Sequence, residues 1–160
     1  MPACLGKLVS RIFMELNPSQ IGIITELTLM TEFAKLGCTV FAPFGQNTKV
    51  DMIIEYRNKL YKIQSKHSSL HYREGGIYDG KLDYAVFKTH WTTRSGSKVP
   101  YSKDEVDFFA TVVNDQVYLI PWSETSGVEK RLRFLPPLNG QRNGITFAEN
   151  YQVKEVLEKL

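Results

Sequence analysis

Four polar side chains of the chain have the types that phosphodiester hydrolysis needs: Glu26, Asp51, Gln64 and Lys66. Asp51 opens one apolar run, and Gln64 and Lys66 lie two residues apart in the next. Carboxylate and amide oxygens suit a hard cation such as Mg²⁺. A lysine ammonium suits the charge that develops on a phosphate during attack by water. The set therefore predicts a metal-dependent phosphodiesterase.

Each side chain has a predicted role in this chemistry. Asp51, the side-chain oxygen of Gln64 and the backbone carbonyl of Ser65 are candidate ligands of Mg²⁺, for which Mn²⁺ is a possible substitute. Glu26 completes the ligand set, directly or through a water. Lys66 holds the attacking water, lowers its pKa or stabilises the transition state.

Ordinary structural roles remain open for the same residues. Asp51 could cap a loop, and Gln64 and Lys66 could be common strand surface. Glu26 is harder to explain in this way, because an acid within an apolar helix is unfavourable unless it is paired or ligated. Lys66 is a possible ion-pair partner for it without any catalysis.

A long helix must position Glu26. Asn17-Pro18 has the cap residue and first-turn proline of a helix start, and Gly37 marks the end after Leu36. The first half of the helix, Ile21–Met30, is apolar nearly all round. This composition predicts burial on most sides.

A hairpin must position the other three side chains. The runs Asp51–Tyr56 and Lys59–Lys66 flank Arg57-Asn58. A two-residue turn there places Asp51 opposite Gln64, and a three-residue loop places it opposite Ser65. In both registers the acid lies beside the segment that carries the lysine.

The remaining pattern predicts a central mixed β-sheet flanked by helices, in the α/β or α+β class. A short helix is predicted near 9–16. Further elements follow along the chain: a strand over 39–42, an extended pair or long strand over 77–90, a polar loop over 92–103, a hairpin of 106–113 with 116–121, an edge strand over 128–135 and an amphipathic helix over 146–160.

The chain has 160 residues, of which 42% are hydrophobic and 23% charged, as expected for one globular domain. No apolar run approaches the length of a membrane span, so we expect no membrane partner. Cys4 and Cys38 lack the spacing of a metal site. We therefore expect both to be free thiols, with Cys38 in the core. We therefore expect a cytoplasmic or other intracellular location, at DNA in a nucleoid or organelle.

Positive charge is concentrated in one segment. The formal net charge is +3, and residues 67–103 hold six Lys and Arg against three Asp and Glu, so this segment accounts for the excess. Such a local excess is typical of a DNA-docking surface, although a solvated hairpin is also possible. Candidate DNA contacts are Lys49, His67, Arg73, Lys81, Lys88, Thr93, Arg94 and Lys98. The loop Gln46–Lys49 is predicted at the rim of the site.

The order of these motifs resembles the PD-(D/E)xK nuclease superfamily. The residues that carry the resemblance are Gly22 and Glu26, the run Asp51–Ile54 and the run Tyr61–Lys66. The chain is most similar to the group I intron-encoded homing endonucleases of cyanobacterial type, in which Gln replaces the second acid. The likeness covers about residues 20–151, including 104–110, 117–121, 135–137 and 143–145.

The resemblance implies a restriction-endonuclease-like core with an added β-hairpin or loop for DNA binding. It implies a site-specific double-stranded DNA endonuclease that acts as a homodimer or homotetramer. We expect a single nuclease domain over 1–160, with an N-terminal extension (1–17), a catalytic half (18–66), a basic DNA-contacting segment (67–103) and a second hairpin with a C-terminal helix (104–160).

Two residues depart from the superfamily pattern. Val50 stands where the pattern has proline, and Gln64 is a neutral ligand that attracts Mg²⁺ less strongly than an acid. Two alternatives stay open. One is a Holliday-junction resolvase-like, structure-selective nuclease, and the other is a non-cleaving DNA-binding protein on a nuclease scaffold.

Overall fold

The computed structural model describes residues 16–45 and 48–160. The predicted helix near 9–16 falls almost wholly outside this part of the chain, as do Cys4 and the rim residues Gln46 and Asn47. Helix α1, Pro18–Lys35, begins at the predicted cap. The Asn17 side chain accepts a hydrogen bond from the Gln20 backbone N–H at 3.0 Å, and the Gln20 side chain accepts one from the Asn17 N–H at 2.9 Å.

Only one side of α1 is buried, so the predicted burial on most sides is wrong. Thr25, Leu29 and Phe33, spaced four residues apart, form the buried stripe. Ile23 is 56% exposed and Leu27 is 58% exposed. The physical reason is that a sheet covers one face of a helix, and the described residues provide no second layer beyond it.

Ten strands follow the helix in the described part of the chain and form two sheets and a ribbon. They are β1 Thr39–Phe41, β2 Met52–Tyr56, β3 Lys59–Ser65, β4 Ser69–Tyr72, β5 Leu82–Lys88, β6 His90–Thr92, β7 Lys98–Pro100, β8 Phe108–Val113, β9 Gln116–Pro121 and β10 Glu129–Arg133. The larger sheet has the order β1-β2-β3-β8-β9, the smaller sheet β10-β5-β4, and β6 pairs with β7 as a ribbon.

The larger sheet is mixed, which confirms the predicted class. Its β3–β8 pair is parallel, and the other pairs are antiparallel. The β2–β3 hairpin has the two-residue turn Arg57-Asn58, with φ of 49° and 61°. These positive values fit a type I′ turn, whose twist matches that of the strands. The turn fixes Tyr56 opposite Lys59.

Apolar residues cover both faces of the larger sheet. Toward α1 and the C-terminal helix lie Leu29, Phe33, Met52, Ile63 and Leu119, all fully buried, and Cys38 lies in the same cluster as predicted. The opposite cluster joins the larger sheet to the smaller one through Phe87, Val106, Phe109, Ile120 and Leu132. Burial of both faces makes β8 and β9 the most deeply buried strands of the larger sheet.

The segment after β3 differs in detail from the sequence pattern. The predicted long element over 77–90 is a 3-10 turn, Gly76–Tyr78, followed by β5. The predicted loop over 92–103 contains β7. The predicted edge strand over 128–135 is β10, which pairs with β5.

The predicted C-terminal helix is shorter than expected. A 3-10 turn, Ala148–Tyr151, precedes α2, Val153–Glu158. Val153, Val156 and Leu157 are buried in the core, so this face is not available as an interface. None of the helices in the described residues is long and apolar enough to cross a membrane.

Candidate active site

The β2–β3 hairpin places Asp51 beside Gln64. Met52 pairs with Ile63, and the Asp51 backbone N–H donates to the Ile63 carbonyl at 3.1 Å, so the register continues to the predicted Asp51–Gln64 pair. The Gln64 Nε2 donates to Asp51 Oδ2 at 2.6 Å. The Ser65 backbone N–H donates to the same oxygen at 2.7 Å. The carboxylate is therefore held rigidly at the end of the hairpin.

Lys66 follows β3 directly and is fixed by β8. Its backbone N–H donates to the Ala110 carbonyl at 2.8 Å. Its Nζ donates to the Tyr101 hydroxyl at 3.1 Å and lies 4.8 Å from the centre of the Tyr101 ring. Tyr101 was not predicted from the sequence, because it lies in a segment without strand or helix periodicity and reaches Lys66 only through the fold.

Glu26 reaches the site from α1. It lies three residues before buried Leu29, on the side of the helix that faces the larger sheet. Burial, with the negative charge of Asp51 as a second contribution, raises the pKa of Glu26. The helix and the hairpin therefore bring the two carboxyl groups within electrostatic reach of each other.

The charged groups of the site influence one another's pKa values. Burial raises the pKa of Asp51, although the Ser65 N–H and the Lys66 charge act in the opposite direction. Burial lowers the pKa of Lys66, an effect that Asp51 opposes and Lys88 reinforces. Burial thus disfavours the ionised form of both carboxyl groups, and a cation beside them would favour their ionisation.

The polar atoms fit a divalent cation. Gln64 is 7% exposed, and its Oε1 is buried without a hydrogen-bond partner among the described residues. An unsatisfied buried carbonyl oxygen next to a carboxylate is a suitable ligand for a hard cation. No three His, Cys, Asp or Glu side chains in the described ranges cluster as a metal site. The oxygen atoms that the structure brings together here belong to Asp51, Gln64 and Ser65, with Glu26 within electrostatic reach of Asp51.

The predicted DNA contacts lie at different distances from this site. Lys88 lies close enough to influence Lys66 electrostatically, and exposed His67 follows Lys66 directly. Lys81 lies farther along the smaller sheet, with its Nζ 5.5 Å from the centre of the Tyr78 ring.

Lys49 is tied to the loop that follows β7. Its Nζ forms an ion pair with Glu105 and lies 5.0 Å from the centre of the Trp91 ring. The Ser102 backbone N–H donates to the same carboxylate at 2.9 Å. A phosphate would have to compete with Glu105 for this ammonium.

The tip of the β6–β7 ribbon brings together Thr93, Arg94 and Lys98. The Thr93 N–H donates to the Ser97 carbonyl at 2.9 Å, and the Ser97 N–H donates to Thr93 Oγ1 at 3.0 Å. This turn leaves Arg94 and Lys98 exposed to solvent.

Arg73 does not lie on a DNA-accessible surface. Its side chain is 6% exposed and forms an ion pair with Asp83. It also donates to the Pro136 carbonyl at 2.8 Å. Asp83 in turn binds Arg133 at 2.9 Å. This buried network links the smaller sheet to the C-terminal segment. Arg73 therefore has a structural role, and the prediction that it contacts DNA is wrong.

Comparisons with known proteins agree with this geometry. The bacterial homing endonuclease I-Ssp6803I has a similar structure, with a TM-score of 0.67, 20% identity, and coverage of 90% of this chain and 95% of that chain. At this identity the likeness shows a shared fold. A search of curated proteins gives no match. A family model described as PD-(D/E)XK endonuclease matches residues 16–154, which confirms the resemblance found in the sequence. Since the match includes Glu26, Asp51, Gln64 and Lys66, the chain belongs to the PD-(D/E)XK endonuclease family.

Proposed function

We propose that this endonuclease is a site-specific enzyme of homing type that hydrolyses double-stranded DNA with Mg²⁺. The observation that carries the proposal is the hydrogen-bonded Asp51–Gln64–Ser65 cluster, with Lys66 and Glu26 beside it. The organisation into a catalytic half (18–66) and a DNA-contacting segment (67–103) belongs to the same proposal.

Four oxygen donors would hold the cation: the carboxylates of Asp51 and Glu26, Gln64 Oε1 and the Ser65 carbonyl. Mn²⁺ is expected to replace Mg²⁺, because it accepts the same oxygen ligands. The bound cation supplies positive charge against the phosphate and lowers the pKa of a nearby water.

Lys66 supplies the second positive charge. Its Nζ is anchored by the Tyr101 hydroxyl at 3.1 Å. From this position the ammonium donates hydrogen bonds to a phosphate oxygen or to the attacking water, where it stabilises the charge that develops as the P–O bond breaks. Because the anchor is already formed, little reorganisation is needed when DNA binds.

Surface cations would hold the duplex against this centre. His67 follows Lys66 in the chain, and Lys88 lies within electrostatic range of Lys66. Both are assigned to the phosphates flanking the cleaved bond. Lys49, once released from Glu105, adds a third contact. Arg94 at the ribbon tip, with Thr93 and Lys98, is assigned to base and phosphate contacts in the adjacent groove.

The proposal also requires more than one copy of the chain. One set of these side chains cleaves one strand, and cleavage of both strands in one event needs a second centre related by two-fold symmetry. We therefore infer a homodimer or a homotetramer.

Nicking of supercoiled plasmid tests the enzyme. We expect cleavage with Mg²⁺ or Mn²⁺ and none with EDTA. Asp51→Ala and Lys66→Ala should reduce the rate at least ~100-fold while DNA binding is kept. Lys154→Ala, a change of an exposed lysine on α2, is the matched control.

A second measurement tests site specificity. Cleavage of a randomised duplex library, followed by sequencing of the ends, should return one recurrent sequence with dyad symmetry. Equal cleavage of all four-way junctions without sequence preference would instead indicate a resolvase-like enzyme. A wild-type protein that binds DNA and never cuts it would show a binding protein on a nuclease scaffold.

A further inference from the structure

The smaller sheet has one face in the core and one face in solvent. Ala85, Phe87 and Leu132 are buried against the larger sheet. Because side chains alternate along a strand, their neighbours point outward. The outer sheet face is formed by Ser69 and His71 of β4, Tyr84, Val86 and Lys88 of β5, and Glu129, Arg131 and Arg133 of β10.

Tyr84 organises the centre of the outer sheet face. The His71 ring stacks on it with centroids 4.5 Å apart and an interplanar angle of 14°. On the neighbouring strand, the guanidinium carbon of Arg131 lies 4.3 Å from the centre of the Tyr84 ring, and that of Arg133 lies 5.4 Å away. Two cations and an imidazole are therefore arranged around one aromatic ring.

Arg131 differs from Arg133 in its freedom to bind a ligand. Arg133 donates to Asp83 at 2.9 Å, so its charge is compensated within the fold. Arg131 is exposed, and the described residues offer it no hydrogen-bond or ion-pair partner. Stacking on Tyr84 restricts its orientation while its N–H groups stay available. Glu129 is the acid of this face, and it stands opposite Lys88 in the strand register.

The outer sheet face continues from the active site. Strand β4 begins three residues after Lys66, and Lys88 at the end of β5 lies within electrostatic range of Lys66. Arg131 stands opposite Val86, two residues from Lys88, and its guanidinium reaches the ring of Tyr84, four residues from Lys88. The guanidinium therefore lies about 7 to 13 Å along the strand from Lys88, at ~3.3 Å per residue. This length equals about two to four base-pair steps at ~3.4 Å each.

We propose that the outer sheet face lies in the major groove of duplex DNA and that Arg131, held on Tyr84, reads a guanine about two to four base pairs from the cleaved bond. This inference rests on the proposed function. A major groove admits a β-ribbon, and an arginine binds the O6 and N7 of guanine through two parallel hydrogen bonds. The outer sheet face adjoins the proposed catalytic lysine and carries the cations Lys88 and Arg131. For both reasons we expect it to bind DNA rather than a protein surface.

The test compares sequence preference among variants. The randomised library is cleaved separately by four proteins: wild type, Arg131→Ala, Tyr84→Phe and Tyr84→Leu. In Arg131→Ala, the preference for G at one position per half-site should fall from about 10- to 100-fold to none, while preferences elsewhere persist. Tyr84→Phe should keep most of the preference, and Tyr84→Leu should weaken it. Lys154→Ala, a change of an exposed lysine on α2, should match wild type in rate and preference.

Several results would overturn the inference. One is an unchanged preference in Arg131→Ala. Another is a uniform loss of affinity for all sequences, with a salt slope smaller by about 0.9, which would indicate a phosphate contact. A change in oligomer mass with unchanged DNA preference would indicate a protein interface. If the wild type never cuts, the proposed function fails, and selection of bound duplexes in Ca²⁺ with the same variants still decides the inference.

Discussion

Asp51 is a proposed metal ligand and also carries a charge that burial disfavours, and these two properties are separable by pH. Its folded-state pKa lies above the ordinary value because of burial. The folded protein therefore binds this proton more tightly than the unfolded chain does. The free energy of unfolding decreases as pH rises from the ordinary aspartate pKa through the raised one.

Asp51→Asn should remove that penalty. Asparagine carries no charge, and its Oδ1 keeps an acceptor for both the Ser65 N–H and the Gln64 Nε2. In EDTA, we expect its Tm to exceed that of wild type by roughly 1 to 3 °C at pH 8, with the difference vanishing near pH 4. Calorimetry across this pH range checks the trend.

The same variant separates metal binding from stability. Mg²⁺ should raise the Tm of the wild type and not that of Asp51→Asn, because a ligand of the folded state stabilises only a protein that binds it. Glu74→Gln, a change of an exposed acid, is the control and should resemble the wild type. An equal Mg²⁺ effect on Asp51→Asn would contradict the ligand assignment.

Tyr101 gives a second test at the residue scale. Burial and the nearby acids Asp51 and Glu105 raise the pKa of Tyr101 to about 12, so its hydroxyl is neutral when it accepts from Lys66. Tyr101→Phe keeps the ring, which packs edge-on against Phe109 at 5.6 Å. Loss of one hydrogen bond should slow cleavage about 3- to 10-fold with unchanged DNA affinity.

A double-mutant comparison shows whether Tyr101 acts through Lys66. In a Lys66→Ala background, Tyr101→Phe should cause no further loss of rate. Tyr118→Phe, another buried tyrosine, should leave the rate unchanged in both backgrounds. Equal losses from Tyr101→Phe with and without Lys66 would show a role independent of the lysine.

At the element scale, the β2–β3 turn decides which side chains meet. Arg57 and Asn58 both have positive φ, a conformation that Asn and Gly adopt more readily than Arg. The double change Arg57→Asn with Asn58→Gly should stabilise the protein by about 0.5 to 1 kcal/mol. The expected rise in Tm is roughly 1 to 4 °C, with an unchanged cleavage rate.

A matched change elsewhere shows that the effect comes from the turn. Asn150→Gly lies in a 3-10 turn with ordinary φ, where added backbone freedom should lower the Tm. If the turn variant also lowered the Tm, or slowed cleavage, the hairpin would depend on the Arg57 side chain rather than on backbone conformation.

The predictable parts of the site are those fixed by local rules. Strand alternation predicted Asp51 opposite Gln64 or Ser65, and the two-residue turn in the structure selects Gln64. Tyr101 and the buried Arg73 network were not predictable, because both depend on contacts between segments distant in the chain. Local sequence patterns contain no information about which loop will cover which strand end.

The same limit applies to helix α1. Its apolar composition predicted burial, but composition does not say how many layers surround an element. The structure buries one stripe and exposes Ile23, Ile24 and Leu27. Exposed apolar residues on one helix face mark a contact surface more often than a chance arrangement.

At the scale of the whole molecule, this α1 surface is where we expect a second copy of the chain. Cleavage of both DNA strands needs two centres, and the exposed groups Ile23, Ile24 and Leu27 are adjacent on one helix face. Light scattering should give the wild type a multiple of the 18.3 kDa chain mass. Ile23→Lys with Leu27→Lys should shift the mass toward one chain, because two buried ammonium groups oppose an apolar interface.

Activity provides the second readout of the same variant. The doubly changed protein should nick supercoiled plasmid without linearising it in one event, since a single chain carries one centre. The control is Ile77→Lys with Leu138→Lys, two apolar residues that are 86% and 89% exposed at other places in the fold. If the α1 variant kept the wild-type mass, or if the control lost it as well, the second copy would have to bind elsewhere, and the exposed face of α1 would need another explanation.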